Sequence, residues 1–237
     1  MTPQNPDHQL RSGGFTLVEM AIVLAIVALL LGGLLPVISS QVEQQHRSET
    51  RKHLNEIKDA LIGYTIINGA LPCPTTTTDP ADINYGIAPP TCPGNPTAEG
   101  FLPWKTLGVP EIDAWGIKES STMKGYWRYR VDRNFAVPFA LSTGFSPDKL
   151  SIENNNTSLI TPAISGCVNL NPTSECPVAI VFSTGPNLTA DGKNASPNIE
   201  VPGVFQSDAP NASFDDILIW ISRPQLFNRM VSAGILP

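Results

Sequence analysis

The sequence predicts an α+β chain: a long N-terminal helical stalk, membrane-spanning over its first half, packed on a small antiparallel β-sheet head with long loops. Three observations predict it. A predominantly apolar run extends from Phe15 to Leu35; an apolar stripe at helical spacing continues to about Asn68; and two short apolar runs rich in β-branched residues, Val178–Phe182 and Ile217–Ile221, appear late in the chain. The 237 residues include 23 Pro and 18 Gly, with only 15% charged, a composition suited to loops and turns rather than to a helical bundle. The formal charge is −6 and no Lys/Arg cluster occurs, so no nucleic-acid partner is expected.

Phe15 to Leu35 spans 21 residues and carries a single ionisable side chain, Glu19. As a helix it measures about 30 Å, the thickness of a bilayer core. A secretory signal peptide has a shorter apolar run and is cut after it. Here the small-residue pair, Gly13-Gly14, precedes the run, so a cut there removes a polar leader and keeps the apolar helix. A carboxylate inside such a span is costly unless partnered, which makes Glu19 a functional candidate; a shallow position near the headgroups is the plainer alternative.

Arg11-Ser-Gly-Gly-Phe-Thr-Leu-Val-Glu19 resembles the cleavage and methylation motif of type IV pilins and type II secretion pseudopilins. The resemblance implies that a prepilin peptidase/methyltransferase cuts after Gly14 and N-methylates Phe15. It also implies that Glu19 guides subunit docking into a filament, through the amino group of a neighbouring Phe15. Pro36 extends the likeness, since pilin stalks commonly carry a proline there, and a proline kinks or locally melts a helix. Four segments follow: a leader (1–14), a transmembrane and assembly helix (15–38), the amphipathic half of the stalk (39–70) and a globular β-rich head (71–237). The expected location is the bacterial inner membrane, single-pass, with the head in the periplasm and the subunit entering a pilus or pseudopilus.

Leu54, Ile57, Leu61 and Tyr64 recur at spacings of three and four among charged residues, one apolar stripe suited to packing under a head. Asn68-Gly69, followed by Pro72, ends the helix. His46 and His53 lie seven apart on one face, but nothing completes a metal set, and solvated surface histidines are the expectation. His8 belongs to the leader. The head therefore holds no histidine, which removes Ser-His-Asp and Cys-His catalysis. No catalytic residue and no organic cofactor site is expected.

The cysteines form two local pairs, Cys73 with Cys92 and Cys167 with Cys176, and none has the Cys-x-x-Cys spacing of a zinc or redox site. Two disulfides in an oxidising compartment are expected, against the alternative of four buried thiols. Gly125–Val131 is aromatic and alternating, and reads as a strand. Its aromatic residues suit core packing, with a sugar-binding platform as the other possibility. Ser222 and Pro224 offer a helix start, with Leu226, Phe227, Met230 and Val231 as the apolar side.

Ser183-Thr-Gly-Pro-Asn187, then Asp191-Gly-Lys-Asn194, then Asp208 and Phe214-Asp-Asp-Ile217 before Trp220 resemble the calcium loop of major pseudopilins, as Asp113-x-Trp-Gly resembles the start of their sheet. The resemblance implies Ca²⁺ held by Asp215 and Asp216, with Asp191, Asn194 and Asp208 as further candidates. Calcium takes six to eight oxygens from such side chains. The stretch 195–213 is longer and richer in proline than the likeness calls for, and a solvated turn-rich loop uses the same residue types. The function implied is a structural prepilin or pseudopilin subunit, with other pilin or pseudopilin subunits and an inner-membrane assembly platform as partners. A minor tip pilin acting as an adhesion or substrate-binding module is the alternative.

Overall fold

The computed structural model describes residues 14–92, 99–116, 123–138, 150–162, 174–195 and 203–235, with the backbone alone over 31–38. The chain divides into two compact units, one ending at Gln45 and one beginning at His46. The architecture is α+β and pilin-like, with an N-terminal helix and an antiparallel sheet in the head.

Helix α1 runs Leu17–Asn68. Its backbone is helical straight through Pro36, so the local melting that a proline invites does not occur. One missing hydrogen bond is a small loss in a helix of 52 residues whose flanking turns are intact. In the first unit the described apolar side chains are bare, with Leu17 90% and Leu29 79% exposed. Among the described residues no helix is long and apolar enough to cross a membrane; residues 31–38, the end of the expected span, lie outside those whose side chains are described.

In the second unit the helical stripe behaves as its spacing predicts. Leu54, Ile57 and Leu61 are wholly buried in a cluster with Trp127, Tyr129, Val178, Val181 and Ile221. The helix stops because Gly69 takes φ +71° and donates its N–H to the Thr65 carbonyl at 2.8 Å, a left-handed end that glycine adopts without strain.

The main sheet contains β1 (Gly100–Phe101), β2 (Arg128–Val131), β4 (Pro177–Ser183) and β6 (Ile217–Ser222), in the order β1-β2-β4-β6 and antiparallel throughout. Both β-branched runs are strands, and β4 is buried along its full length, as a central strand with both faces covered must be. A second element goes beyond the antiparallel expectation: β3 (Leu150–Glu153) and β5 (Gly203–Gln206) pair in parallel. Their Leu150, Ile152 and Phe205 pack on Ile180 and Phe182 from the sheet's other face.

The predicted aromatic strand is shorter than its pattern, because Tyr126 leaves the ladder to bridge Ile112. Tyr126, Trp104, Tyr85 and Met123 form a third buried cluster joined to short helix α2 (Trp104–Leu107), so these rings pack as core. Helix α3 (Arg223–Ser232) begins after Ser222 with Pro224 in its first turn. Leu226, Phe227 and Met230 are buried, but Val231 is 51% exposed, because α3 buries only one narrow side.

Cys73 and Cys92 form a disulfide that closes the loop leading to β1. Cys176 is also disulfide-bonded, and its expected partner, Cys167, lies outside the described residues. His46 and His53 are only partly solvated: each is half-buried, His46 edge-on to Trp115 at 5.8 Å and His53 edge-on to Trp127 at 6.4 Å. The head's tryptophans cover that helix face, which the i, i+7 spacing alone does not reveal.

Candidate functional site

Two regions bring together residues singled out by the sequence. The first is the start of α1. Leu17 opens the helix, which makes Thr16 the N-cap and Glu19 the third helical residue. Thr16 donates its backbone N–H and its hydroxyl to the same Glu19 carboxylate oxygen at 2.8 and 3.0 Å, while Glu19 donates its N–H to the Thr16 hydroxyl at 3.2 Å. This is a reciprocal capping box, which satisfies two of the donors that every helix N-terminus leaves open. The spacing Thr16-x-x-Glu19 is the local sequence signature of this cap. Phe15 is 78% exposed next to it, and Gly14 has open space around its Cα. Gly13 lies outside the described residues, and of Pro36 only the backbone is described.

The second region is the loop pair between β4 and β6. Asp191, Asp215 and Asp216 each aim a carboxylate oxygen into one place, all three atoms within 4.8 Å of one another. Their backbones hold them there. Asp191 donates its N–H to Asp216 Oδ2 at 3.0 Å, and Asp215 donates its N–H to Asp191 Oδ2 at 2.9 Å, so the two loops are stapled at the carboxylates themselves. Asn187 donates its side-chain amide to both Asp191 oxygens at 3.2 Å. Gly185, at φ +63°, lies so close to Asp215 that an added Cβ would meet its carboxylate and stand 2.6 Å from its carbonyl oxygen.

Asn194 and Asp208 do not join this cluster as oxygen donors. The Asn194 carbonyl accepts from Gln206 N–H at 2.9 Å, and its amide donates to the Gln206 carbonyl at 3.0 Å and to Asp216 Oδ2 at 2.9 Å. It is a strut between β5 and Asp216, with its acceptor already used. Asp208 accepts the N–H of Asn155 at 2.7 Å and belongs to the β3–β5 side. Asn187, which the loop motif contains but which was not a ligand candidate, and Gln206, which no motif contains, complete the scaffold.

Electrostatics mark Asp216. It is 4% exposed, and its Oδ1 is buried with no hydrogen-bond partner among the described residues. Burial, reinforced by the charges of Asp191 and Asp215, pushes its carboxyl up to about 7, against the pull of the two N–H donors on Oδ2. Three converging carboxylates with an orphaned buried oxygen fit a hard divalent cation, whose preferred ligands are oxygens. Asp191, Asp215 and Asp216 are the residues able to hold one.

A third feature joins this loop to α1. Ser183, at the end of β4, donates its hydroxyl to Asp113 Oδ2 at 2.5 Å and accepts the Gly185 N–H at 3.1 Å. Asp113 Oδ1 accepts the Trp115 N–H at 3.0 Å, and Trp115 is flanked by His46 and by Arg47, whose guanidinium lies 5.9 Å from the ring centre. Burial raises the Asp113 carboxyl to about 6, opposed by these hydrogen bonds and by the nearby His46. The sequence separates Asp113 from Ser183 by 70 residues, so no local pattern could have linked them.

No curated protein and no solved structure matches the chain. Residues 10–35 match the family model of the prokaryotic N-terminal methylation motif. The matched range takes in Gly13, Gly14, Phe15, the Thr16–Glu19 capping box and the apolar half of α1. The chain thus carries the N-terminal methylation motif that its likeness to type IV pilins and pseudopilins requires.

Proposed function

We propose that this protein is a structural subunit of a type II secretion pseudopilus or a type IV pilus-like filament. A prepilin peptidase cuts it after Gly14 and N-methylates Phe15, and until assembly the helix 15–38 holds it in the inner membrane with the head in the periplasm. The observation that carries this reading is the methylation motif over residues 10–35, set at the head of a helix that continues to Asn68. An apolar helix with bare sides gains most by packing against copies of itself. The aspartate loop before Trp220 favours the secretion branch.

Calcium is the cation we assign to Asp191, Asp215 and Asp216. Its role is structural: it neutralises three converged carboxylates and locks the loop of residues 183–195 to the segment before β6. The scaffold of Asn187, Asn194 and Gly185 sets the carboxylates in place.

Two substitutions at Glu19 test the filament reading and separate charge from capping. Glu19→Gln keeps the capping-box acceptor and removes the charge, whereas Glu19→Ala removes both. Cleavage after Gly14 is expected to persist in both variants, read as the size shift of the processed chain. Recovery in the sheared-fibre fraction is expected to collapse in both. Normal incorporation of Glu19→Gln would refute the charge-guided docking assigned here.

A further inference from the structure

The head carries a socket and a knob of matching chemistry. The socket is a cavity of about 330 Å³ whose walls include Phe101, Tyr126 and Leu188, with Lys124 and Arg128 at its polar side and Thr184 beside them. No carboxylate lines it among the described residues, in a chain where acidic residues outnumber basic ones by 21 to 15. Arg128 pairs with the buried Glu99, yet its Nε, like the Thr184 hydroxyl, is buried with no hydrogen-bond partner among the described residues. Lys124 is exposed. An apolar floor with cationic walls suits an apolar side chain next to a carboxylate.

The disulfide-closed loop of the same chain presents that combination. At its tip Ile83 is 85% exposed, beside the exposed Asp79 and Asp82. Asp79 and Asp82 each spend one oxygen on a local turn, accepting the N–H of Ala81 at 2.9 Å and of Asn84 at 2.8 Å. The tip stands on a firm base. Tyr85 is buried, its hydroxyl bonded to Glu111 at 2.8 Å and to the Tyr126 hydroxyl at 2.6 Å, and the Gly86 carbonyl accepts the Lys105 N–H at 2.9 Å. A preorganised apolar tip loses little entropy on docking.

We propose that the Asp79–Asn84 tip of one copy docks into the Phe101–Tyr126–Leu188 socket of a second copy, with Ile83 on the floor and Asp82 facing Lys124. Engaged head to tail, as the symmetry of a filament requires, the knob of each copy fills the socket of the next and the contact repeats along the fibre. This inference rests on the filament reading and adds a contact between heads to the one between stalks.

The test uses the full chain in its native membrane, with Ile83 replaced by the photoreactive p-benzoyl-phenylalanine. Irradiation is expected to yield a two-chain product whose cross-linked peptide contains Phe101, Lys124–Arg128 or Thr184–Ala190. Lys124→Glu, an exposed substitution that leaves the core untouched, should lower the yield about fivefold, and adding Asp82→Lys should restore it by reversing the pair. No two-chain product, a product mapped elsewhere, or a yield indifferent to Lys124→Glu would overturn the proposal. Failure of the filament reading is scored separately, by normal fibre recovery of Glu19→Gln, while the cross-link reports head contacts in the membrane whether or not fibres form.

Discussion

Replacing Asp216 by Asn probes the cation site with almost no change of side-chain shape. In the parent chain the buried carboxylate is opposed by Asp191 and Asp215, and a bound cation relieves that opposition. A ligand at a hundred times its dissociation constant stabilises the folded state by about 2.7 kcal/mol. The unit that carries the site runs from His46 to Pro237, 237 − 46 + 1 = 192 residues. For that size each kcal/mol moves Tm by about 2–4 °C, so stripping the ion should lower Tm by roughly 5–11 °C. The assay is a thermal melt of the full chain in detergent with millimolar calcium, repeated with excess EDTA. Asp216→Asn should melt at the same temperature in both buffers, and no lower than the parent chain in EDTA, because the amide removes the like-charge repulsion. A parent chain indifferent to EDTA would refute the site. An Asp216→Asn variant that keeps the full EDTA response would place the cation elsewhere.

Gly185→Ala forces a side chain into φ +63° and against Asp215, which should cost about 1–3 kcal/mol and blunt the calcium response in the same melt. Asp113 has a folded-state carboxyl raised to about 6 from an ordinary value of 3.8, so the folded form holds its proton more tightly. Its contribution is therefore fully present below pH 4 and is lost as pH rises to about 6, worth about 3 kcal/mol across that window. Denaturant unfolding of the parent chain and Asp113→Asn between pH 4 and 7 should diverge by that amount, and parallel curves would refute the assignment. Replacing Cys73 and Cys92 with Ser opens a loop whose ends are 19 residues apart, which should cost about 3 kcal/mol in the same unfolding assay.

The sequence by itself determined the features that rest on local periodicity and local chemistry. The processing motif is nine consecutive residues; the stripe Leu54–Ile57–Leu61 repeats every three to four positions; and the runs at 178–182 and 217–221 are continuous apolar blocks rich in β-branched residues. Each writes its structure into adjacent positions, because helix and strand geometry depends on neighbours. The close cysteine pair Cys73 and Cys92 was legible for the same reason. Of five residues proposed from the loop likeness, tertiary structure converged three, Asp191, Asp215 and Asp216, made Asn194 a strut and sent Asp208 to Asn155. Only folding could decide that, since the carboxylates meet across 24 residues through main-chain donors that no side-chain pattern encodes. The edge-on packing of half-buried His46 and His53 against tryptophans, the parallel β3–β5 pair and the Ser183–Asp113 bond likewise depend on which distant segments share a wall of the core. The amino-acid order states what each segment is; packing decides which segments meet, because burial free energy is summed over contacts far apart in the chain.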